Sequence, residues 1–273
     1  MAYSASSYFN NAIVGQMQVG ADVDIYDIDA TPRYPIGQMF IRSDGNIYHY
    51  GHAGTAINRG VVVAQDYSGA SAVDTDNAVI APASAIDIAD EPENSVGAIG
   101  SRYVEMTLAS ISADQLAGGY LSITDDGGEG YTYRIKGNTA TGTPATNNIR
   151  IELYDKIQVA LTATTDVAIT GCLYADLLTA GTGTDGLVAG VTCASLTATE
   201  PWGWIQTKGI ATVLCDTAGS AGAHAVLSQT IAGAYGPAYL TATSGANIAF
   251  PWLGYIVTPG DTTGHGVIYL QIE

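Results

Sequence analysis

Short runs in which apolar and polar residues alternate recur along most of the chain, bounded by Gly, Asp, Asn or Pro, a pattern typical of β-strands. Helical spacing is nearly absent, and the 33 glycines interrupt almost every candidate helix. The sequence therefore predicts an all-β protein built from Gly-rich barrel or sandwich regions. Short helical turns are also expected, one of them at residues 112–117, which Ser112 would cap and Gly118 would end. The predicted strands read QMFIRS, NIYHYG, GVVVAQ, RYVEMTLA, GYLSIT, YTYRIK, NIRIELY, VAITGCLY, GWIQTKG, IATVLC, AHAVLS, AYLTAT, LGYIV and GVIYLQIE.

Two hairpins are predicted from their turns. SDGN, residues 43–46, joins the first two runs, and Asp44 and Gly45 are expected to adopt the positive φ angles of a type I′ turn. TDDGGEGYTYRI, residues 124–135, places three carboxylates among three glycines. Its spacing does not fit a calcium loop, and two carboxylates on one turn lack the opposed placement of a glycosidase pair. We therefore interpret residues 124–135 as a Gly-rich hairpin loop.

Composition divides the chain into four predicted segments. Residues 1–18 lack a strand pattern and are expected to form an N-terminal arm that is disordered or ordered only by a neighbouring molecule. Residues 19–65 form a β hairpin region, residues 66–100 an acidic connection with seven acidic and no basic side chains, and residues 101–273 the main β domain. A similar rhythm of strand, Ala/Gly turn and strand in YGHAGTAINRGVVV and LCDTAGSAGAHAVLS leaves open that the hairpin region packs onto the main domain as half of one barrel.

Charge limits the partners of the protein. The chain has 9 Lys and Arg against 26 Asp and Glu, a formal net charge of −17, so it would repel a phosphate backbone and is not expected to bind nucleic acid. Residues 157–273 carry one basic residue, Lys208, and seven acidic ones. Because a soluble monomer normally carries far more charge, much of this half is expected to face other protein. The 17 tyrosines also favour half-buried positions and interfaces.

The three cysteines, Cys172, Cys193 and Cys215, are odd in number and show no CxxC spacing. They favour neither a disulfide framework nor a zinc ribbon and are predicted to be small buried apolar residues. The N-terminal sequence lacks a basic region followed by an apolar core, and no run of about 18 apolar residues occurs. We therefore expect a chain that is made in a cytoplasm, stays soluble and does not associate with a membrane.

Three further motifs resemble known binding or metal sites. GTGTDG, residues 181–186, fits G-x-G-x-x-G but does not open a helix that would receive a pyrophosphate. His49 and His52 would diverge on a strand and are predicted to belong to a surface Tyr/His face rather than to a metal site. The four aspartates of DVDIYDID, residues 22–29, most simply mark the solvent face of an edge strand with a slip at Tyr26, and a cation site is the alternative.

No set of residues suggests an enzyme. The sequence contains no G-x-S-x-G elbow, HExxH motif, P-loop or Cys/His constellation. We therefore predict no catalytic residues, no cofactor and no metal.

Three segments resemble the virion structural proteins of tailed bacteriophages. They are YPIGQMFIRSDGNIYHYGHAGTAINRG, ADQLAGGYLSITDDGGEGYTYRIKGN and PWGWIQTKGIATVLCDTAGSAGAHAVLS, and together they cover about a third of the chain. The resemblance implies a head-associated protein of the decoration or cement type on the capsid exterior, with no catalytic residues to carry over.

From this resemblance we expect a protein that is synthesised in the host cytoplasm and bridges shell subunits on the capsid exterior. Its expected partners are the major capsid protein and further copies of itself, most simply in a homotrimer, because capsids offer local threefold positions. Candidate interface residues are aromatic side chains of the N-terminal arm and of one tryptophan-bearing strand: Tyr3, Tyr8, Phe9, Trp202 and Trp204.

Two alternatives remain open from the sequence. A tail or head-fibre component would also be structural, whereas a carbohydrate-binding β module would use exposed Trp or Tyr side chains to bind a sugar. The positions of Trp202, Trp204 and Trp252 distinguish the two classes. Tryptophans buried in contacts between copies favour a structural protein, and tryptophans on an open concave surface beside Asp and Asn favour sugar binding.

Overall fold

The computed structural model describes residues 18–19, 23–65, 77–78, 96–108, 111–142, 148–162, 164–182, 187–238 and 251–272. Within these ranges all regular elements are β-strands, so the prediction of an all-β protein is confirmed. The strands are β1 Gln18–Val19, β2 Met39–Ile41, β3 Ile47–His52, β4 Val62–Gln65, β5 Asn77–Ala78, β6 Tyr103–Thr107, β7 Tyr120–Asp125, β8 Thr132–Asn138, β9 Asn148–Leu153, β10 Asp166–Thr170, β11 Leu177–Thr179, β12 Val188–Thr192, β13 Trp202–Leu214, β14 His224–Leu227, β15 Tyr235–Pro237, β16 Trp252–Thr258 and β17 His265–Gln271. In the same ranges, no helix has the length and apolar character needed to cross a membrane.

The chain divides into two compact units. The first unit combines Met1–Asp66 with Leu173–Glu273, and the second is Tyr67–Cys172. These limits differ from the predicted segments, because strands that precede the second unit in sequence pair with strands that follow it. The second unit is therefore an insertion, in sequence, between the two parts of the first unit. Most of the predicted arm and of the predicted acidic connection lies outside the described residues.

The second unit contains a six-stranded sheet in the order β5-β10-β7-β8-β9-β6, and every neighbouring pair is antiparallel. Strand β9 shows the underlying pattern, since its residues alternate between half-buried and buried positions along NIRIEL. Its inward side chains Ile149, Ile151 and Leu153 join a core that also contains Val104, Met106, Leu108, Ile111, Leu116, Leu121, Ile123, Tyr133, Ile135, Ile157, Leu161, Val167 and Ile169.

The loop at residues 124–135 is the hairpin turn that the sequence predicts. It joins β7 to β8, and Ile123 N donates to the Tyr131 carbonyl at 2.8 Å where the pairing ends. Asp126 adopts a left-handed φ of 63°, and its carboxylate accepts hydrogen bonds from the hydroxyls of Thr162 and Thr164. This carboxylate therefore stabilises a contact between two loops.

Residues 112–117 do not form the predicted helical turn. They form two separate turns, closed by Gln115 N to the Ser112 carbonyl at 3.3 Å and by Ala117 N to the Asp114 carbonyl at 3.1 Å. Asp114 has a left-handed φ of 57°, which is incompatible with a right-handed helix. The side chain of Asn138 also contacts this segment, because its Nδ2 donates to the Ser112 carbonyl at 2.9 Å. A contact from a distant strand therefore replaces local helix formation.

The first unit contains an eleven-stranded sheet with β13 at its centre. The main order is β1-β2-β3-β13-β17-β16-β14-β15, while β12 pairs with β13 and β4, and β11 pairs with β4. GWIQTKG and IATVLC, predicted as two strands, form the single 13-residue strand β13. Strand β13 pairs with β3 along its first half and with β17 along its second. Its pairing with β3 contains a register shift between Gln206 and Lys208.

The SDGN hairpin is confirmed, but the prediction of a type I′ turn is wrong. Of Asp44 and Gly45, only Gly45 has a positive φ, at 85°. Gly45 N donates to the Arg42 carbonyl at 2.9 Å, and Arg42 N donates to the Asn46 carbonyl at 3.0 Å, which makes a three-residue loop ending in a left-handed glycine. The Asp44 carboxylate accepts from Asn46 N at 3.0 Å, so this side chain stabilises the turn in place of a second positive φ.

Among the described residues of the first unit, apolar side chains form an aromatic cluster and a larger cluster. The smaller, aromatic cluster comprises Ile25, Phe40, Tyr48, Tyr50 and Trp204. The larger one comprises Val62, Ala64, Ala180, Val191, Ala211, Val213, Cys215, Ala225, Leu227, Tyr235, Leu253, Ile256, Ile268 and Leu270. One face of β13, β17, β16 and β14 contributes to this cluster the side chains of Ala211, Val213, Ala225, Leu227, Leu253, Ile256, Ile268 and Leu270. The opposite face of these four strands is exposed.

Candidate functional site

Trp204 is a core residue. Only 2% of it is exposed, and its indole packs against the rings of Tyr34 and Tyr50, each at a centroid distance of 5.2 Å, and of Phe40 at 5.7 Å. Because these contacts lie within its own chain, the indole is not offered to another molecule. The structure thus places this predicted interface residue inside the protein.

Trp202 lies two residues earlier on β13 and is half-buried. Its ring stacks on Tyr50 at 5.8 Å with an interplanar angle of 14°, and it contacts the ring of His52 at 4.6 Å. Trp202 also pairs through its backbone with Asp29. Its exposed part remains available to a partner. The other predicted interface residues, Tyr3, Tyr8 and Phe9, lie outside the described residues.

The prediction of an edge strand at residues 22–29 is wrong. Residues 25–26 form a turn, and Asp29 is 7% exposed. Its carboxylate accepts from the Tyr50 hydroxyl at 2.9 Å and forms an ion pair with Arg33 Nε at 2.6 Å. Burial raises the pKa of the Tyr50 hydroxyl above its ordinary value, which keeps this group a hydrogen-bond donor. Asp29 therefore anchors the segment to the aromatic cluster.

The predicted surface Tyr/His face on β3 is also wrong, because Tyr48, His49 and Tyr50 are all buried. The ring of His49 stacks on Tyr174 at 4.4 Å with an interplanar angle of 4°. His52 Nδ1 lies 3.2 Å from an Asp176 carboxylate oxygen. The two histidines thus contact different neighbours. Among the described residues, no group of three His, Cys, Asp or Glu side chains is arranged to hold a metal ion.

Cys172 and Cys215 are buried, as predicted. Cys193 is only half-buried as a residue, but burial of its thiol raises the pKa to about 12. A thiol with such a pKa is protonated at neutral pH. Cys193 is therefore a packing residue rather than a nucleophile.

Trp252 lies in an exposed aromatic cluster on β16 and β14. It is 43% exposed and contacts Tyr255 in a T-shaped arrangement at 5.7 Å. His224 packs against both rings, at 5.1 Å from Tyr255 and 6.5 Å from Trp252. The three rings stand on the outward face of the sheet, opposite the larger core cluster.

This aromatic cluster continues into a row of side chains across four strands. The register places Ile210 of β13 beside Tyr269 of β17, Tyr269 beside Tyr255 of β16, and Tyr255 beside His224 of β14. Ile210 is 51% exposed and Tyr255 38%. Since paired residues in an antiparallel sheet point to the same side, these residues form one continuous surface. We call the outward residues of β13, β17, β16 and β14 the outer face.

The outer face carries no carboxylate on the paired strands that form it. Around the central row, its outward positions are Lys208, Thr212, Leu214, Val226, Trp252, Val257, Thr258, His265, Val267 and Gln271. Four of its side chains, Ile210, Trp252, Tyr255 and Val257, are large apolar groups that are 38–51% exposed. Exposed apolar side chains that lie together mark contacts with other molecules.

The sequence contained one signal for this surface, the low charge of residues 157–273, but not the residues that form it. In the sequence, Trp252 is one of three candidate tryptophans, and no local pattern marks Ile210, Tyr255 or His224. Comparisons with protein-family models, with curated proteins and with solved structures found no match for this chain. The geometry of the outer face is therefore the main basis for a functional proposal.

Proposed function

We propose that the protein is a structural virion protein of the capsid-decorating type, which associates with copies of itself through the outer face. The observation that supports this proposal best is the exposed, carboxylate-free sheet surface around Ile210, Tyr255 and Trp252. Aromatic side chains on such a surface supply large contact area at little entropic cost, and they are enriched in protein interfaces.

The distribution of charge on the chain favours a second copy of the protein as the partner that binds the outer face. Two chains that each carry a net charge of −17 repel each other wherever carboxylates oppose carboxylates. The outer face avoids this cost and offers Lys208, His224 and His265 toward a neighbour that is rich in acidic side chains. Self-association through this face is thus favoured over contact with an unrelated basic surface.

The stoichiometry and the shell contact complete the proposal. A homotrimer places three shell-binding sites together, and several weak contacts made at once bind more tightly than any one of them. In this arrangement the outer face binds the neighbouring copy, while the N-terminal arm, with Tyr3, Tyr8 and Phe9, binds the major capsid protein. Each bridge between shell subunits must then open before a subunit leaves the capsid.

A carbohydrate-binding module is a second candidate because Trp252 and Tyr255 expose their rings. A sugar site also needs polar groups beside the aromatic ring that bind the hydroxyls. On the outer face, Gln271 is the one carboxamide among the paired outward positions, and it follows Leu270, which pairs with Gly254 near Trp252. Because the outer face offers basic side chains to an acidic neighbour, its charge favours a protein partner over a sugar.

The proposal is tested on particles of the phage that encodes the chain. We expect mass spectrometry to detect the protein in purified virions and cryo-electron microscopy to place it outside the shell. Absence from purified particles, together with abundant expression in the infected cell, would overturn the virion assignment. Sedimentation velocity of the isolated protein tests self-association separately, and a monomer at all micromolar concentrations would contradict it.

A further inference from the structure

A pocket with a volume of about 440 Å³ opens on the first unit. It lies between the β2–β3 hairpin, the turn at residues 59–60, strand β12 and the second half of β13. Its lining residues are Ile25, Tyr26, Arg42, Asn46, Tyr48, Arg59, Gly60, Val191, Thr192, Cys193, Gln206, Ile210, Ala211, Thr212 and His265. This volume is within the range of pockets that bind small molecules.

The pocket is basic in a protein that is strongly acidic. Two of the nine Lys and Arg residues, Arg42 and Arg59, line it together with His265, and no lining residue is Asp or Glu. With carboxylates outnumbering cations by 26 to 9, two arginines beside one pocket without a lining carboxylate are unexpected. Basic groups that line one pocket favour the binding of an anion there.

Three basic side chains are neutralised by close carboxylates: Arg33 pairs with Asp27 and Asp29, Lys136 with Glu152, and Arg150 with Glu105. Arg59 has no carboxylate of the described residues within ion-pair distance of its guanidinium. Its charge is therefore available to a ligand in the pocket.

Arg42 and Arg59 are each positioned by neighbouring groups. The Tyr48 hydroxyl accepts a hydrogen bond from the Arg42 guanidinium and raises its pKa above the ordinary value. Asp44 is 3.9 Å from Arg42 Nε, but both side chains are about half exposed, so this pair neutralises little of the charge. The backbone N of Arg59 donates to Ser195 Oγ at 3.1 Å, which fixes the turn that carries it.

The rest of the pocket suits the carbon skeleton of a ligand. Ile25 and Val191 are buried in its wall, while Tyr26 and Ile210, at 66% and 51% exposure, form its rim. Buried apolar walls beside a few charged groups are typical of sites for small organic ligands. Inorganic ions alone would leave this surface unused.

We propose that this pocket binds a small organic anion, held through a carboxylate or phosphate group by Arg42 and Arg59. A guanidinium offers a planar set of N–H donors that matches both groups, and charge-assisted hydrogen bonds of this kind are the strongest polar contacts in proteins. The net charge of the chain repels anions from most of its surface, and variants of the two arginines locate a bound anion.

Isothermal titration calorimetry with three matched probes tests the proposal. Phenyl phosphate and phenylacetate share an apolar ring and differ in the anionic group, and benzyl alcohol carries the ring without charge. We expect one-to-one binding of at least one anion with a dissociation constant of about 1 mM or below, and at least tenfold weaker binding of the alcohol. Tighter binding of phenyl phosphate identifies a phosphate ester as the natural ligand, and tighter binding of phenylacetate identifies a carboxylate. No binding of either anion, or equal binding of the alcohol, would overturn the proposal.

Variants locate the binding in the pocket. Arg59→Gln and Arg42→Gln should each weaken anion binding about tenfold or more, because each removes charge-assisted hydrogen bonds. Arg102→Gln is the matched control: it removes the same charge from an exposed position of the second unit and should change the affinity less than about twofold. Equal losses in all three variants would show a general charge effect and refute the site.

The pocket shares Ile210, Thr212 and His265 with the outer face, so anion binding is measured at protein concentrations at which sedimentation shows a monomer. Thermal unfolding of each variant shows whether it is folded. A monomer that binds no anion refutes the pocket alone. A protein that stays monomeric at all concentrations and binds an anion refutes the outer-face interface alone.

Discussion

Replacement of Trp252 by alanine should weaken self-association of the protein. Trp252 is 43% exposed, so about 100 Å² of its surface is free to be covered by a neighbouring copy. At about 25 cal/mol per Å², burial of this area contributes at most about 2.5 kcal/mol. Because ordering and desolvation offset part of that gain, we expect a loss of about 1–2 kcal/mol, or roughly a tenfold increase in the dissociation constant.

Sedimentation equilibrium over a range of protein concentrations measures this change. The matched control is Tyr120→Ala, which removes an aromatic side chain that is 47% exposed on β7 of the second unit. We expect it to leave the dissociation constant within about twofold of the wild-type value. Trp252→Ala should also remain folded, because its ring contacts only partly exposed neighbours.

One result would refute the reasoning about the outer face. If Trp252→Ala and the wild-type protein associate with the same affinity, Trp252 does not lie in the contact between copies. If Tyr120→Ala is the weaker associating variant, the interface belongs to the second unit instead.

Three further predictions concern the first unit. Gly254→Ala should destabilise the protein by at least about 2 kcal/mol in urea unfolding, because Gly254 has a φ of 146° and an added Cβ would overlap the Tyr269 carbonyl oxygen. Tyr50→Phe should cost about 1 kcal/mol, and less when Asp29 is already alanine, since the two side chains share a buried hydrogen bond. Cys193 should resist iodoacetamide at pH 8 in the native protein, because its pKa is raised to about 12. The pKa of the Cys193 thiol in the folded protein exceeds the ordinary value of 9.0. The contribution of the protonated thiol to the free energy of unfolding is therefore fully present below about pH 9 and is lost as the pH rises toward 12.

Each of these predictions has a result that contradicts it. Gly130→Ala is the control for Gly254→Ala, since Gly130 has a φ of 86° and open space around it, and equal losses would show that overlap with a neighbouring strand is not the cause. Additive effects in the double-mutant cycle would show that the Tyr50 hydroxyl does not depend on Asp29. Rapid alkylation of Cys193 in the folded protein would show that its thiol is not held protonated by burial.

The alternation of apolar and polar residues predicted the strands that have one buried and one more exposed face. Strand β9 alternates along NIRIEL, and the glycines of residues 124–135 indicated a turn that the structure confirms. These features depend on neighbouring residues alone, so a sequence is sufficient to recognise them.

Pairing between distant segments was not predictable in the same way. Asp29 was interpreted as a solvent-facing acid because its neighbours are acidic, yet it is buried against Tyr50 and Arg33. His49 was assigned to the surface, yet it stacks on Tyr174 from a part of the chain far away in sequence. In both cases a long-range contact decides the burial of a polar side chain, and no local pattern encodes it.

The candidate site was likewise predictable only in part from the sequence. The low charge of the second half of the chain indicated a contact surface, but the order β13-β17-β16-β14 determines which residues form it. Ile210, Tyr255 and His224 become neighbours only through that order. The pocket likewise joins Arg42, Arg59 and residues of β13, whose proximity follows from the sheet and not from their spacing.

Cryo-electron microscopy of purified virions that carry the protein tests the central proposal most directly, at a resolution that shows side chains. We predict that a neighbouring copy covers Ile210, Tyr255 and Trp252 in each assembled molecule on the capsid exterior. An outer face that is open to solvent in every copy, or that is occupied by a glycan, would contradict this account.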